Sequence, residues 1–189
     1  MPKLAAGARV ADVGCGSGKA LFEMAKAYPQ SDFHGYDSTP LAIGFAETNL
    51  AQSGLGNVTF HRAVADSLPR DASFDFILTW DCLHDMTHPA EAMRAIRAAI
   101  KPDGTWLIVD INGKPTPEEN YAHPLGDLLY SFSVLDCLAC STSVEGGAGL
   151  GTLGLPEPVA RKMTAEAGFT RFTVRDFGSP LNSFYEVRP

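Results

Sequence analysis

The sequence has little positive charge and no long apolar run. Its 189 residues carry 15 Lys and Arg against 22 Asp and Glu, a formal charge of -7. Such an acidic chain lacks the basic face that bulk nucleic-acid binding requires, so nucleic acid is not expected as a partner. No apolar stretch approaches the roughly 18 residues of a membrane span, so no membrane segment is expected. The start, MPKLAAGARV, lacks a signal-peptide pattern, which makes a cytoplasmic location the default.

Cysteine is also scarce, with four residues at positions 15, 82, 137 and 140. These positions do not form the framework of a disulfide-rich protein. Cys137 and Cys140 form a C-x-x-C, which is compatible with redox chemistry or with half of a zinc site. No second C-x-x-C or nearby pair of histidines completes a metal site, so no metal is expected. Apolar residues recur around them at helical spacing, which favours buried thiols that act as small hydrophobic groups.

Length and composition predict one globular domain over residues 1–189, with 45% hydrophobic and 20% charged residues. Strand and helix patterns alternate through the first 110 residues, which is typical of a parallel α/β sheet. The fourth predicted strand is the most apolar, so we expect it at the centre of the sheet. A Pro-Asp-Gly turn is predicted over Lys101–Gly104, just before the fifth strand. The five predicted strands lie at 9–13, 32–37, 58–62, 74–80 and 105–110.

The alternation breaks at Ile111–Leu155, a stretch that we call the excursion. It has no clear strand, and it contains an apolar helical piece near 125–139 and the loop EGGAGLGTLG. A segment of this length between regular elements is typical of a lid or substrate-binding insertion. A helix from Pro156 to Gly168 and strands near 169–176 and 184–187 follow. The connection between these two strands is too short for a helical crossover, so we expect them to pair antiparallel.

The stretch VADVGCGSGKA, residues 10–20, combines a strand, a glycine loop and a helix start. Glycine permits a close approach of backbone to a ligand, and the N–H groups of a helix start favour an electron-rich group. Two classes of nucleoside-binding protein open in this way. The dinucleotide pattern G-x-G-x-x-G is one residue longer than the spacing of Gly14, Gly16 and Gly18. A nicotinamide-dependent oxidoreductase is therefore the disfavoured alternative, although Asp37 at the end of the second strand suits the ribose of either nucleoside.

Four motifs in order carry a resemblance to a known family: DVGCGSGKA, GYD, VAD at 64–66, and FDFILTWDCLHDM. From about Arg9 to its end the sequence resembles class I, seven-stranded S-adenosylmethionine-dependent methyltransferases. HDMTHP, VDINGKPTPEENYAHPLGDLLYSFS and GGAGLGTLG are similar to a bacterial-type branch that usually follows a winged-helix domain. The resemblance implies a doubly wound, mostly parallel seven-stranded sheet with an antiparallel last strand in three αβα layers.

The sequence starts about eight residues before the first strand. The winged-helix domain, and the helix that many class I enzymes place before that strand, are not expected in it. Two explanations are compatible with this start. The chain is an excised or naturally minimal catalytic domain, or a homodimer partner or another chain covers the cofactor site.

The resemblance also implies which residues hold S-adenosylmethionine, with S-adenosylhomocysteine as product. The backbone of the glycine loop would run close to the methionine and ribose moieties. Asp37 would accept hydrogen bonds from both ribose hydroxyls, and Asp66 would accept one from the adenine amino group. The methionine end would lie near Asp12 and beside the end of the fourth strand. The implied cofactor-binding residues are Asp12, Gly14, Cys15 (through its backbone), Gly16, Gly18, Asp37, Ser38, Asp66, Ser67, Trp80 and Asp81.

Three of these residues also have simpler interpretations. Asp37 can act only as a helix cap, since it precedes a helix start. Asp66 can be a solvated loop acid. Trp80 can be a core aromatic that packs at a strand end.

Methyl transfer from a sulfonium is an in-line displacement, so the enzyme mainly supplies proximity and alignment. A hydroxyl or amine acceptor also needs a base, and His84 with Asp85 as the orienting carboxylate is the candidate pair. The alternative is that His84 only lines the pocket or caps local backbone. His123 and Tyr130 of the excursion are candidate contacts to a small-molecule acceptor with an O, N or C nucleophile. The alternative to an enzyme is an S-adenosylmethionine sensor or a catalytically crippled domain.

Overall fold

Seven strands form one mixed sheet in this computed structural model, which describes residues 2–189. The strand order is β3-β2-β1-β4-β5-β7-β6, which places β4 at the centre as its apolar sequence predicts. Neighbours among β1 to β5 pair in parallel, and β7 pairs antiparallel with both β5 and β6. The predicted fold class is therefore confirmed. The strands are β1 (Arg9–Val13), β2 (Asp32–Asp37), β3 (Val58–Arg62), β4 (Phe74–Trp80), β5 (Ile100–Ile111), β6 (Arg171–Arg175) and β7 (Asn182–Arg188).

Helices cover the sheet and form the excursion. The longest, α3, starts with Pro40 in its first turn and ends at Gly54, whose φ of +70° is the left-handed conformation typical of a helix end. A π-helical turn, Ser133–Cys137, joins α6 to α7, and short 3₁₀ turns lie at Ala65–Ser67 and Leu83–Asp85. The helices are α1 (Pro2–Ala6), α2 (Lys19–Ala27), α3 (Pro40–Ser53), α4 (Pro89–Ala99), α5 (Pro117–Tyr121), α6 (Gly126–Phe132), α7 (Leu138–Ser141) and α8 (Glu157–Glu166).

Two apolar clusters, one on each face of the sheet, give the three-layer arrangement. Successive residues of β4 alternate between them, because successive side chains of a strand point to opposite faces. Ile77 packs with Ile96 of α4 in one cluster, and Leu78 packs with Leu21 of α2 in the other. The most buried residues of the chain therefore hold the strands in register and fix where their carboxyl ends lie.

One local feature was not predicted and one local expectation differs from the structure. A single helical turn, α1, precedes β1 at the amino ends of the strands, where Leu4 packs in the second apolar cluster and Lys3 donates to the carbonyl of Asp103. Residues 101–104 do not form a separate turn before the fifth strand. They form a bulge within β5, since Phe74 pairs with Ile100 while Phe76 pairs with Thr105.

The excursion has no strand after Ile111, and its predicted helical piece corresponds to α6, the π-helical turn and α7. The prediction that its apolar residues and thiols are buried is wrong. Leu128 and Leu135 are 51% and 81% exposed, Cys137 is half-buried and Cys140 is exposed. A stripe of mostly small residues faces the body of the protein instead, formed by Gly126, Leu129, Ser133 and Ser141. Because small residues allow close approach, this stripe rather than the apolar one packs inward.

Across residues 2–189, every helix is too short or too polar to cross a lipid bilayer.

Candidate active site

A cavity of about 850 Å³ lies at the carboxyl ends of β1, β2, β3 and β4. In open α/β sheets this edge is where ligands bind. Residues that follow each of the four strands line the cavity, among them Gly14, Asp37, Asp66 and Asp81. The excursion contributes the remaining part of the wall through Asp136, Ala139, Cys140 and Ser143.

The glycine loop after β1 has little freedom. Gly14, Gly16 and Gly18 have φ values of +77°, +54° and +79°, which favour glycine at all three positions. A Cβ on Gly14 would lie only 2.6 Å from Cβ of Cys82. The backbone of this loop is therefore in direct contact with the Cys82 side chain, in the segment after β4. The N–H groups of Gly14 and Cys15 both donate to the carbonyl of Tyr36, at 2.8 and 3.1 Å.

Asp37 connects two of the cavity's walls. Its Oδ2 accepts from the N–H of Gly16 at 3.0 Å, and its Oδ1 accepts from the N–H of Thr39 at 2.8 Å. The second bond lies just ahead of α3, whose N-cap is Thr39 without a side-chain capping bond, so Asp37 is not the helix cap. The carboxylate also lines the cavity beside Ser38, which leaves its remaining lone pairs available to a ligand.

Asp12 lies beneath the glycine loop and is 2% exposed. Among residues 2–189, its Oδ1 is buried without a hydrogen-bond partner. Burial, together with the nearby negative charge of Asp37, raises the pKa of Asp12 to about 7. At neutral pH the carboxyl group is therefore only partly ionised, and a positive charge bound beside it would favour the ionised form.

The other residues implied as cofactor contacts fall into two groups. Asp66 and Asp81 line the cavity, and Asp81 accepts a hydrogen bond from Asn182 at 2.8 Å. Trp80 is 46% exposed, so the core-aromatic interpretation is wrong, and it lies outside the cavity lining. The remaining implied residues outside the lining are Asp12, Cys15, Gly16, Gly18 and Ser67.

The charged residues of the cavity wall all have the same sign. Within the described chain, the wall carries no lysine or arginine. Its acidic residues are Asp37, Asp66, Asp81, Asp85, Glu91 and Asp136. The site therefore favours a ligand that carries positive charge and hydrogen-bond donors, and it disfavours a pyrophosphate.

His84 follows β4 and is buried behind the cavity wall, with only 3% of its surface exposed; the lining includes its neighbour Asp85 but not His84 itself. Its Nδ1 is 2.6 Å from Oδ1 of Asp110, and because a carboxylate can only accept, Nδ1 donates. Its Nε2 is 3.3 Å from Oδ1 of Asp85, whose carboxylate lines the cavity. The orienting carboxylate of His84 is therefore Asp110, and the expectation that Asp85 has this role is wrong.

Asp110 is the residue that the sequence analysis missed. It ends β5 and is 1% exposed, and its Oδ1 also accepts from the N–H of Ile111 at 2.8 Å. The available signal is the aspartate that follows the apolar run of TWLIVD, in a strand parallel to β4. Because the carboxyl ends of parallel neighbours meet, this acid was bound to lie beside the segment after β4.

The pKa values of this pair reflect burial and mutual charge. Burial opposes protonation of His84, but the hydrogen bond to Asp110 and the carboxylates of Asp110, Asp85 and Asp81 outweigh it and raise the pKa of His84. Burial raises the pKa of Asp110, and His84 partly offsets this effect. The ring is thus held near charged groups of opposite sign, which makes its protonation sensitive to whatever binds beside it.

The glycine-rich part of the excursion packs against the segment that carries His84. The N–H of Gly151 donates to the carbonyl of His84 at 3.2 Å, and the N–H of Ala148 donates to the carbonyl of Thr87 at 2.9 Å. His123 and Tyr130 lie outside the cavity lining. His123 accepts from the N–H of Leu125 at 3.1 Å, and Tyr130 packs on Tyr121.

Comparison with known families decides the class of the protein. A family model described as "Methyltransferase domain" matches residues 4–139, which is most of the chain. The chain belongs to this methyltransferase domain family. The prediction of a class I S-adenosylmethionine-dependent methyltransferase domain is thereby confirmed at the level of the family.

Individual members agree with this assignment. An uncharacterized methyltransferase of Bacillus subtilis, YcgJ, is 33% identical over 103 residues, which are 54% of this chain and 40% of that protein. A ubiquinone biosynthesis O-methyltransferase of Methylococcus capsulatus is 33% identical over 111 residues, 57% of this chain and 45% of that protein. The matched segment spans less than half of either relative.

A solved structure shows the same fold over the whole chain. An O-methyltransferase family protein from Burkholderia thailandensis superposes with a TM-score of 0.72 at 20% identity, covering 100% of this chain and 53% of that one. At this identity the likeness concerns the fold. It extends over the whole chain, including the antiparallel strand β7.

Proposed function

We propose that this domain transfers a methyl group from S-adenosylmethionine to a small-molecule acceptor. The observation that carries the proposal is the wall of the cavity, which has six acidic residues and, among the residues described, no lysine or arginine. S-adenosylmethionine carries a positive sulfonium and an ammonium group, so this wall suits it. The pyrophosphate of a nicotinamide cofactor would face the same carboxylates unfavourably.

The expected contacts of the cofactor follow from the strand ends. Asp37 is proposed to accept from the ribose hydroxyls, with Ser38 beside it, while the backbone of Gly14 and Gly16 passes the ribose and methionine. Asp66, beside Ser67, is proposed to accept from the adenine amino group. Asp12 and Asp81 are proposed to bind near the methionine end, directly or through water, with Trp80 at its border. Supporting this, Asp37, Asp66 and Asp81 all line one cavity.

The proton of a hydroxyl acceptor needs a destination, and we propose His84. Asp110 holds Nδ1, so the lone pair of the ring is on Nε2, near Asp85 at the cavity wall. General-base assistance of this kind contributes roughly 10²–10⁴-fold to a rate. Asp110 is the positioning residue, since it touches only the histidine and backbone, and it stabilises the charged ring that forms.

The acceptor is proposed to be a small molecule with a hydroxyl nucleophile. The 850 Å³ of the cavity must hold both the cofactor and the acceptor, which leaves little room for a macromolecular chain. A relative named for ubiquinone biosynthesis is an O-methyltransferase, in agreement with an oxygen nucleophile. The four cysteines are free thiols, which fits the proposal of a cytoplasmic setting.

Calorimetric titration tests the proposal. The protein is titrated separately with S-adenosylmethionine, S-adenosylhomocysteine and NAD. Binding of the two sulfur nucleosides with no response to NAD is the expected result. Tight binding of NAD with no response to the sulfur nucleosides would overturn it. Binding of S-adenosylmethionine without turnover over a panel of phenols, catechols and amines would favour the sensor instead.

A further inference from the structure

Beside the cavity, three different donor groups from two separate parts of the sequence lie close together. A ring nitrogen of His84, a carboxylate oxygen of Asp85 and Sγ of Cys137 all lie within 4.8 Å of one another, and Asp85 also lines the cavity. We call these residues the His-Asp-Cys cluster. His84 and Asp85 belong to the 3₁₀ turn after β4, and Cys137 ends the π-helical turn of the excursion. Single π-helical turns within helices are frequent at functional sites.

The donor set and its spacing suit a divalent transition metal. Imidazole nitrogen, thiolate sulfur and carboxylate oxygen together are typical zinc ligands, at about 2.0–2.3 Å in tetrahedral geometry. Such bonds place neighbouring donor atoms ~3.4–3.6 Å apart. The distance of 3.3 Å between His84 Nε2 and Asp85 Oδ1 already fits. A rotation of the half-buried Cys137 side chain would bring the sulfur to the same range.

The carboxylate behind His84 is arranged as it is around metal-binding histidines. Histidines that bind metals almost always donate their other ring N–H to a carboxylate, which fixes the tautomer and raises the basicity of the ligand. Nδ1 of His84 donates to Asp110 at 2.6 Å, and both side chains are buried. This pair holds the lone pair of Nε2 towards Asp85 and Cys137.

A buried carboxylate oxygen without a partner points to a cation near the cluster. Within residues 2–189, Oδ2 of Asp110 is buried without a hydrogen-bond partner, and Oδ1 of Asp85 is buried 3.3 Å from Nε2 of His84. Buried carboxylate oxygens without a partner are rare, since each leaves a desolvated charge unsatisfied. The wall beside them adds Asp81 and Asp136 and, among the residues described, no lysine or arginine. A divalent ion satisfies this surplus of negative charge.

We propose that the His-Asp-Cys cluster binds one Zn²⁺ ion, or a divalent ion of similar ligand preference, with an exchangeable fourth ligand at the cavity. Cys137 loses its thiol proton to solvent when the Zn–S bond forms. Binding occupies the lone pair on Nε2, so a bound ion competes with the base role of His84 and lowers methyl transfer. This consequence rests on the proposed function, whereas binding of the ion does not.

The test titrates the chelator-treated full chain with Zn²⁺ in a calorimeter, and with Co²⁺ as a spectroscopic probe, both without S-adenosylmethionine. We expect one ion per chain and a thiolate-to-cobalt charge-transfer band. Cys137→Ser should weaken Zn²⁺ binding at least tenfold and abolish the band. The matched control is Cys140→Ser, one helical turn away, where Sγ contacts Asp136 at 3.7 Å and no effect above twofold is expected. Asp110→Asn should weaken binding about 10–100-fold.

Three results would overturn the proposal. They are the absence of one-to-one binding in the unchanged chain, binding that Cys137→Ser leaves intact, and equal losses in Cys137→Ser and Cys140→Ser. Titration of each variant with S-adenosylmethionine separates a local loss from misfolding, because the proposed ribose and adenine contacts, Asp37 and Asp66, follow β2 and β3. If Zn²⁺ binds and S-adenosylmethionine does not, the metal site stands and the proposed methyltransferase activity fails.

Discussion

The cavity joins two regions that are built in different ways. One region, the strand-end wall, consists of the segments that follow β1, β2, β3 and β4. The other is the excursion, which contributes residues from the π-helical turn to the end of α7 and beyond. The strand-end wall is fixed by left-handed glycines and by bonds such as those of Asp37 to Gly16 and Thr39. The excursion rests on short helices with exposed apolar side chains.

This difference suits a site in which the strand-end wall binds the cofactor, which never changes, and the excursion binds an acceptor that can differ between relatives. A rigid wall suits a ligand that is the same in every turnover, because preorganised donors and acceptors lose little entropy on binding. Loops and short helices can change without disturbing the sheet, and they commonly carry specificity. Substitutions in the strand-end wall should therefore be costly, and those on the outer face of the excursion should not.

The largest effect is expected where the two regions meet, at His84. His84→Ala should lower turnover by about 10²–10⁴-fold and leave the affinity for S-adenosylmethionine nearly unchanged, because the ring is proposed to accept the proton and not to hold the cofactor. In the unchanged enzyme, turnover should rise with pH through the raised pKa of His84, since only the neutral ring is a base.

Steady-state kinetics and a cofactor titration give the two measurements. His123→Ala is the matched control, since His123 lies in the excursion outside the cavity lining and should not change turnover. Normal turnover in His84→Ala would show that His84 is not the base.

Gly14 tests how rigid the strand-end wall is. Gly14→Ala places a Cβ 2.6 Å from Cβ of Cys82 at a φ of +77°, so steric overlap and backbone strain should together cost about 2–5 kcal/mol of stability. The matched control is Gly44→Ala within α3, where an added Cβ meets nothing within 4 Å. There a gain of about 0.5–1 kcal/mol is expected. Urea unfolding of both variants measures this, and equal stabilities would contradict a rigid loop.

Asp12 makes the stability of the strand-end wall depend on pH. Its pKa rises from 3.8 to about 7 on folding, so the folded chain holds this proton more tightly than the unfolded chain. The contribution of Asp12 to the free energy of unfolding is therefore largest below the unfolded pKa. This contribution is lost as the pH rises through the folded pKa of about 7, a loss on the order of 2–4 kcal/mol. Asp12→Asn should remove this dependence and stabilise the chain above neutral pH.

Urea unfolding over a pH series measures the effect of Asp12. Asp127→Asn, on the exposed first turn of α6, is the control and should leave the dependence as it is. An unchanged pH dependence in Asp12→Asn would show that folding does not raise the pKa of Asp12.

Asp37 tests the proposed ribose contact. Asp37→Ala should weaken S-adenosylmethionine by about 1.5–3 kcal/mol, because charge-assisted hydrogen bonds to the ligand are lost. Loss of the bonds to Gly16 and Thr39 adds a loosening of the loop. Asp32→Ala, at the other end of β2, should leave the affinity unchanged. A dissociation constant that stays the same in Asp37→Ala contradicts its role.

The smallest effect is expected on the outer face of the excursion. Leu135 is 81% exposed, so Leu135→Gln should change the free energy of unfolding by less than about 0.5 kcal/mol. Leu129→Ala, on the buried face of α6, should cost about 2–5 kcal/mol. A large loss of unfolding free energy in Leu135→Gln, together with a smaller sedimentation coefficient, would show that Leu135 is buried in a homodimer interface.

Much of the sheet could be predicted because its signals are local. Apolar strands alternate with helices in the sequence, and glycine spacing with Asp12 and Asp37 indicates the loop and the strand end that follow. The excursion was harder, because its apolar stripe and its small-residue stripe are both helical patterns. Packing against α5 and the glycine-rich part of the excursion selected the stripe with Gly126 and Ser133, and no local rule makes that choice.

The fold class and the segments of the strand-end wall can be predicted from the sequence, since each strand and the loop that follows it are indicated by residues close together in the chain. The partners of His84 depend on the tertiary structure. Asp110 reaches it because β4 and β5 run in parallel, and Cys137 reaches it because the excursion folds back over the same edge. A carboxylate 26 residues away and a thiol in another helix become neighbours through strand order and packing, which spacing along the chain does not encode.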